Sequence, residues 1–360
     1  MPDLRVPTAR TSTTGTPVRM LLALLAAAAT AHAQRPSPTS AEEQRCAGLN
    51  TAPADAVQAC TTLIGTGRYA GNNLAIVYSN RGIANARAGD FNRAIADFDQ
   101  ALRLNPGYTR ATISRGNALL AKGDLERAIT SFDQALRVDP RNAATLTSRG
   151  SALAAKGDHD RAMADYDAAL KIDANYGPAY LNRGLSWSAK KDFDKALADF
   201  ETAARLAPDS AAAYGARGIV MEAKGDTERA FADLDKAITL DPNNAGYYGS
   251  RGNVWRTRGR LDKALADYNQ ALTLAPGNWR IYYDRAQAQY IAGNFREALA
   301  DATKSAELNA SYAPALSLRG LIQEKLGAKD AAIADLRRAA ALDPALPQPV
   351  DALRRMGIMR

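Results

Sequence analysis

Residues Ser114 to Pro140 read SRGNALLAKGDLERAITSFDQALRVDP, and Asn80 to Pro106 read NRGIANARAGDFNRAIADFDQALRLNP. The Arg-Gly dipeptide recurs at Arg81, Arg115, Arg149, Arg183, Arg217, Arg251 and Arg319, Arg285-Ala286 fills the remaining slot, and every step is 34 residues. Ala94, Ala128, Ala162, Ala196, Ala230, Ala264, Ala298 and Ala332 keep the same register. Four positions after them stand Phe98, Phe132, Tyr166, Phe200, Leu234, Tyr268, Ala302 and Leu336. Pro106, Pro140, Pro208, Pro242, Pro276 and Pro344 close six of the units. A pattern that returns at a fixed period of this size describes one structural unit copied along the chain.

One copy reads as two helices. Tyr78, Arg81, Gly82 and Asn85 recur at helical spacing, and Gly89 then takes the left-handed C-terminal cap without steric cost. Asp90 opens the next helix, where a carboxylate accepts from free backbone N–H groups and faces the positive end of the dipole. Asp124, Asp158, Asp192 and Asp226 repeat the device. Ala94, Phe98 and Ala101 share one face of this second helix. The alanines and Gly82 let the helices approach, Phe98 fills the gap, and Pro106, which lacks an N–H, ends the helix. Sixteen positions after the arginines stand Asp97, Asp165, Asp199, Asp233, Asp267, Asp301 and Asp335, with Ser131 as the exception. This offset predicts one Arg–Asp pair per unit, and removing one partner of a buried pair costs about 3 to 5 kcal/mol.

The order of glycine, alanine, aromatic and proline resembles the tetratricopeptide repeat, a helix-turn-helix unit of the same length. The resemblance covers eight units, residues 75–346. It implies an all-α fold, a right-handed α-solenoid in which each unit buries its apolar face against its neighbours. The register continues upstream into a degenerate unit over 41–74, where Gly48 precedes Gly82 by one period and Cys60 takes the slot of Ala94. Cys46 and Cys60 are the only cysteines. In an exported chain an even count favours a disulfide, which in the chain-entropy model adds about 3 kcal/mol for a loop of this length. A redox-active or metal-binding pair would need CxxC spacing or a nearby histidine, and neither is present. The segment Gln58 to Gly82 also resembles the leading segment of exported bacterial tetratricopeptide proteins. At the other end, residues 347–360 read as a capping helix: Leu353 and Met356 cover the last unit while Arg354, Arg355 and Arg360 face water.

The N-terminus argues for export. Met20 to Ala33, MLLALLAAAATAHA, is an apolar core preceded by arginines and closed by Ala31-His32-Ala33, the pattern of a signal peptide over 1–33 cleaved before Gln34. At this length it is short for a membrane span, leaving no span after cleavage. The stretch before it is long for a signal, so Met20 competes with Met1 as the start. Residues 34–40, QRPSPTS, read as a linker with too little apolar surface to fold.

Composition excludes several function classes. The net charge is +8, which the loss of Arg5, Arg10, Arg19 and Asp3 with the signal lowers by two, and no Lys/Arg run or aromatic-laced basic stripe suggests nucleic acid. Beyond the signal the only histidine is His159, in a GDHD turn that reads as solvated surface, so neither a His-based triad nor a zinc site can be assembled. There is no phosphate-binding glycine loop, and most carboxylates recur as caps or pairing partners. The expectation is a non-enzyme with no cofactor and no metal.

Binding remains, and the resemblance implies where: in this family the first helices line a concave groove that takes an extended peptide or a partner's helix. The stretch Gly277 to Phe295, GNWRIYYDRAQAQYIAGNF, departs most from the scaffold wording. By analogy Arg280, Tyr283, Asp284, Gln287 and Tyr290 face the groove, joined by Asn253 and Arg256 from the preceding unit. Tyr282 reads instead as filling the core position of Tyr248 and Tyr214. A second, weaker patch resembles the family's clamp for acidic C-terminal peptides: Arg45, Asn80 and Arg110 match it, whereas Leu49 and Ser114 depart from it. The expectation is a non-catalytic scaffold in the bacterial periplasm that assembles or recruits envelope proteins. The alternative is a structural envelope protein that binds peptidoglycan or another polyanion.

Overall fold

The computed structural model describes residues 41–48 and 50–359. The expected signal over 1–33, the linker over 34–40, Leu49 and Arg360 lie outside these residues. The described residues form nineteen helices and no strand. They divide into two compact units, one ending at Leu206 and one spanning Ala207–Arg360.

In the first unit the helices are α1 (Ala41–Ala47), α2 (Pro53–Gly65), α3 (Gly71–Arg87), α4 (Phe91–Leu104), α5 (Thr109–Lys122), α6 (Leu125–Val138), α7 (Ala143–Lys156), α8 (His159–Ile172), α9 (Gly177–Ala189) and α10 (Phe193–Leu206). In the second they are α11 (Ala211–Ala223), α12 (Thr227–Leu240), α13 (Ala245–Thr257), α14 (Leu261–Leu274), α15 (Trp279–Ile291), α16 (Phe295–Leu308), α17 (Ala313–Lys325), α18 (Lys329–Leu342) and α19 (Pro347–Arg355). Within each unit successive helices pair as hairpins and the hairpins stack, so each unit is a run of all-α solenoid.

The local devices are those the sequence predicts. Gly89 closes α3 at φ 82°, and Asp90 caps α4 by accepting from the Arg93 N–H at 3.0 Å. Asp124, Asp158, Asp192 and Asp226 do the same one repeat apart. In the fourth repeat Lys191 takes the left-handed position at φ 62°, where seven other repeats place glycine. Phe98, Phe132, Tyr166, Phe200, Leu234, Tyr268 and Leu336 are fully enclosed between their own two helices. The glycine opposite leaves the room: a Cβ on Gly150 would lie 2.6 Å from the Tyr166 ring.

All seven predicted Arg–Asp pairs form, at 2.6–2.8 Å, with both carboxylate oxygens engaged and the aspartates buried. The structure adds a bond that the offset does not suggest. The remaining terminal nitrogen reaches back to the preceding repeat, from Arg149 to Asp133 at 2.6 Å, from Arg183 to Asp167 at 2.6 Å and from Arg251 to Asp235 at 2.7 Å. Arg115, opposite Ser131, keeps the backward bond to Asp99 at 2.9 Å and bonds Gln134 and the Ser131 hydroxyl. Tyr78, Tyr180, Tyr214, Tyr248 and Tyr282 lie beneath these guanidinium groups at 5.4–5.7 Å, the role Tyr282 shares with Tyr214 and Tyr248.

The ends differ from the sequence reading in detail. α3 starts at Gly71, one turn before the corresponding helices, so the boundary placed between 74 and 75 falls inside it. The terminal helix stops at Arg355 instead of running to the end, because Gly357 turns the chain at φ 74°. Its Ala352 and Leu353 pack on Leu336, flanked by Met356 and Ile358. Cys46 and Cys60 form the disulfide and are buried with Ala59, Leu63 and Val77. His159, expected as solvated surface, is half-buried at the start of α8, with Nδ1 shielded from water.

Candidate functional site

The second unit gathers most of the predicted groove residues into one network. α13 contributes Asn253 and Arg256 one turn apart, α15 contributes Arg280, Tyr283, Asp284 and Gln287, and both are first helices of their hairpins. The Tyr268 hydroxyl on α14 donates to Asn253 Oδ1 at 2.7 Å and lies beside the Arg256 guanidinium. Asn253 also lies beside the Asp284 carboxylate. Gln287 Nε2 donates to the Tyr283 hydroxyl at 2.6 Å, and Arg280 lies over the Trp279 ring at 4.9 Å.

Burial dominates the electrostatics. It pushes the Asp284 carboxyl up to about 7, helped by the Glu222 charge and opposed by Arg256, Arg280 and the Asn253 side chain. Glu222, on α11, is raised by the same burial and drawn down by Arg256. Among the described residues the Arg256 Nε is enclosed without an acceptor. Two half-buried carboxylates therefore lie within electrostatic reach of one guanidinium.

Three of the expected groove residues have partners within the protein. Asn253, expected to bond a ligand backbone, has its oxygen occupied by Tyr268. Tyr283 is not a free ring: it stands edge-on to Tyr312 at 5.2 Å and packs against the apolar clusters around Ala286 and Leu316. Tyr290 joins a different group, edge-on to Phe295 at 5.6 Å and near Glu324, which binds Arg355 at 2.5 Å.

The sequence reading missed Glu222, Tyr268 and Tyr312. Glu222 stands one period before Arg256, so its register gave a signal that the plain wording of its own unit hid. Tyr268 occupies a position that reads as core, and its hydroxyl, absent from Phe98, is what ties α14 to α13. Tyr312 precedes α17 and packs on Trp279 at 4.5 Å, a contact between loop and helix that no periodicity carries.

In the first unit Asn80 and Arg110 line one small concavity with Cys46, Ile83, Ala84 and Arg87. Arg45 does not join them, because it is exposed and turns back to Glu42 at 3.1 Å on its own helix. Ser114 is buried.

Comparison with known proteins agrees with this architecture. The family described as Tetratricopeptide repeat matches residues 79–133, 113–177, 181–245 and 283–347, and the TPR repeat family matches 252–293. These matches cover well over half of the chain, which belongs to the tetratricopeptide repeat family. The structure is similar to the APC/C hetero-tetramer Cut9-Hcn1, with TM-score 0.57 and 15% identity over 84% of this chain and 82% of that one. It is also similar to a tetratricopeptide repeat protein from Parabacteroides merdae, with TM-score 0.53 and 19% identity over 69% of this chain and 98% of that one. A third similar structure is pilF of Pseudomonas aeruginosa, with TM-score 0.54 and 16% identity over 59% and 97% of the two chains. No curated protein matches the sequence. Tetratricopeptide repeat proteins bind protein partners, and the fold is that of an interaction scaffold. No helix among the described residues is long and apolar enough to cross a membrane.

Proposed function

We propose that this protein is a non-catalytic scaffold of the bacterial cell envelope and holds a partner's peptide or helix against the first helices of residues 207–360. The observation that carries this reading is the network of unlike groups on α11, α13 and α15, namely Glu222, Asn253, Arg256, Arg280 and Asp284, in a chain whose other side chains mostly repeat. A repeated residue supplies like groups at regular intervals, whereas recognition of one partner requires unlike groups at one place. The envelope location rests on the apolar Met20 to Ala33 stretch with its small-residue close, and the Cys46–Cys60 disulfide accords with an oxidising compartment.

Capture from envelope extract tests this. Discrete protein partners are expected, and sedimentation with purified cell-wall sacculi alone would favour the polymer-binding alternative. Because Tyr283 is packed, its role is read with Tyr283→Phe, which keeps the ring. Arg256→Gln and Tyr283→Phe are expected to weaken the captured partner tenfold or more if they touch it, about 1.4 kcal/mol or greater. Arg110→Gln should leave affinity unchanged. The reverse pattern would move the contact to the Asn80 and Arg110 end and overturn the assignment.

A further inference from the structure

Asn309-Ala310-Ser311 is the one Asn-x-Ser/Thr triplet in the chain. It lies in the turn between α16 and α17. From Glu307 to Ser311 every residue is exposed except Asn309, which is half-buried. We infer that Asn309 is an N-glycosylation acceptor in the folded protein, taking an oligosaccharide from a polyprenyl-pyrophosphate carrier. The triplet with a residue other than proline at its centre is the acceptor pattern of exported proteins, and it works from surface loops.

The repeat supplies an internal comparison. At the corresponding position other turns carry Asn105, Asp139, Asp173, Asp241 and Asp343, and each accepts a hydrogen bond from the backbone N–H two residues on, at 2.9–3.3 Å. Asn309 Oδ1 accepts the same bond from the Ser311 N–H at 3.3 Å. The turn therefore needs only the side-chain oxygen, and aspartate satisfies it. Asn105 is followed by Pro106 and Gly107, so it cannot be an acceptor, and most other turns also place proline second.

At Asn309 two departures coincide: Ala310 replaces the proline, and Ser311 brings a hydroxyl. That hydroxyl donates to Asn309 Oδ1 at 2.8 Å. A donor on the carboxamide oxygen draws electron density from the amide and makes the nitrogen proton easier to lose. Among the described residues Nδ2 makes no hydrogen bond and is free to react. In the transfer, the bond between Nδ2 and the sugar's anomeric carbon forms as that carbon's bond to the pyrophosphate oxygen breaks. The nitrogen gives up one proton to base, polyprenyl pyrophosphate leaves, and nothing is oxidised or reduced. In the cell the reaction needs the exported location proposed above, but acceptor competence does not, and the two are tested separately.

Purified, oxidised protein is incubated with a single-subunit bacterial oligosaccharide transferase and its lipid-linked donor, then digested with trypsin. The expected result is one glycan per chain, on the peptide Ser305 to Arg319. Ser311→Ala should abolish it, and so should Ala310→Pro, which restores the residue other repeats carry and keeps the fold, as a thermal melt will check. A folded chain left unmodified overturns the inference, as does modification that persists in Ala310→Pro.

Discussion

Arg183 donates through Nε and one terminal nitrogen to Asp199 in its own hairpin, and through the other terminal nitrogen to Asp167 in the hairpin before. Asp199→Ala removes the buried partner but leaves the outer one. Its cost should fall toward the lower end of the roughly 3 to 5 kcal/mol expected for breaking a buried pair. Ser131→Asp should be neutral or stabilising, because Arg115 already points Nε at that position from 3.3 Å. Equal small effects at both sites in denaturant unfolding would show that the pairs are surface decoration. Asp284 allows a pH test with a definite sign. Its folded pKa is raised to about 7, above the value near 4 expected when unfolded, so the native state binds the extra proton and stability falls as pH rises between the two. Asp284→Asn, which mimics the protonated form, should therefore raise the melting temperature at pH 8 and change it little at pH 4. An equal rise at both pH values would remove the charge from the explanation. The Arg–Asp pairs were legible because their offset is fixed within one unit. The groove network was legible only in part, because its contacts cross three helices and run through Tyr268, which periodicity assigns to the core.

Each hairpin is held by a complementary choice of sizes at two positions. Where the first helix carries glycine, the second carries a large side chain: Gly82 with Phe98, Gly252 with Tyr268, Gly320 with Leu336. The seventh repeat inverts the choice, with Ala286 opposite Ala302, both fully buried, and Tyr283, Tyr290, Phe295 and Leu299 packed around them. Ala302→Phe alone should overpack this hairpin by about 1 to 3 kcal/mol. Adding Ala286→Gly should recover part of the loss, since it restores the gap that the other hairpins leave. A double-mutant cycle from thermal melts reads the coupling, and strictly additive losses would show that the two positions do not meet. The sequence announces this inversion in a single line, because both changes fall on positions whose usual occupants are known from seven other copies. It does not announce where the displaced aromatics go. Tyr283, at a groove position of the repeat, is half-buried against Tyr312, since the small side chain at Ala302 gives neighbouring rings a place to pack.

At the scale of the chain, the two ends are finished by different means. Beside α1 the finish is covalent, through Cys46 and Cys60. At α19 it is packing and an ion pair, with Leu353 seated on Leu336 and Arg355 reaching Glu324 at 2.5 Å. Between such ends, the backward reach of the arginines bears on how arrays of this kind change length over generations. In the first, third and fifth repeats a window of one period carries a plug, the socket for that plug and the socket for the next window's plug: in the third these are Arg149, Asp165 and Asp167. Duplicating or deleting such a window leaves matched chemistry at the new junction, a route by which recombination can change copy number. At the seam before the seventh repeat Asn269 stands where aspartate does at other seams and still accepts from Arg285 at 2.6 Å.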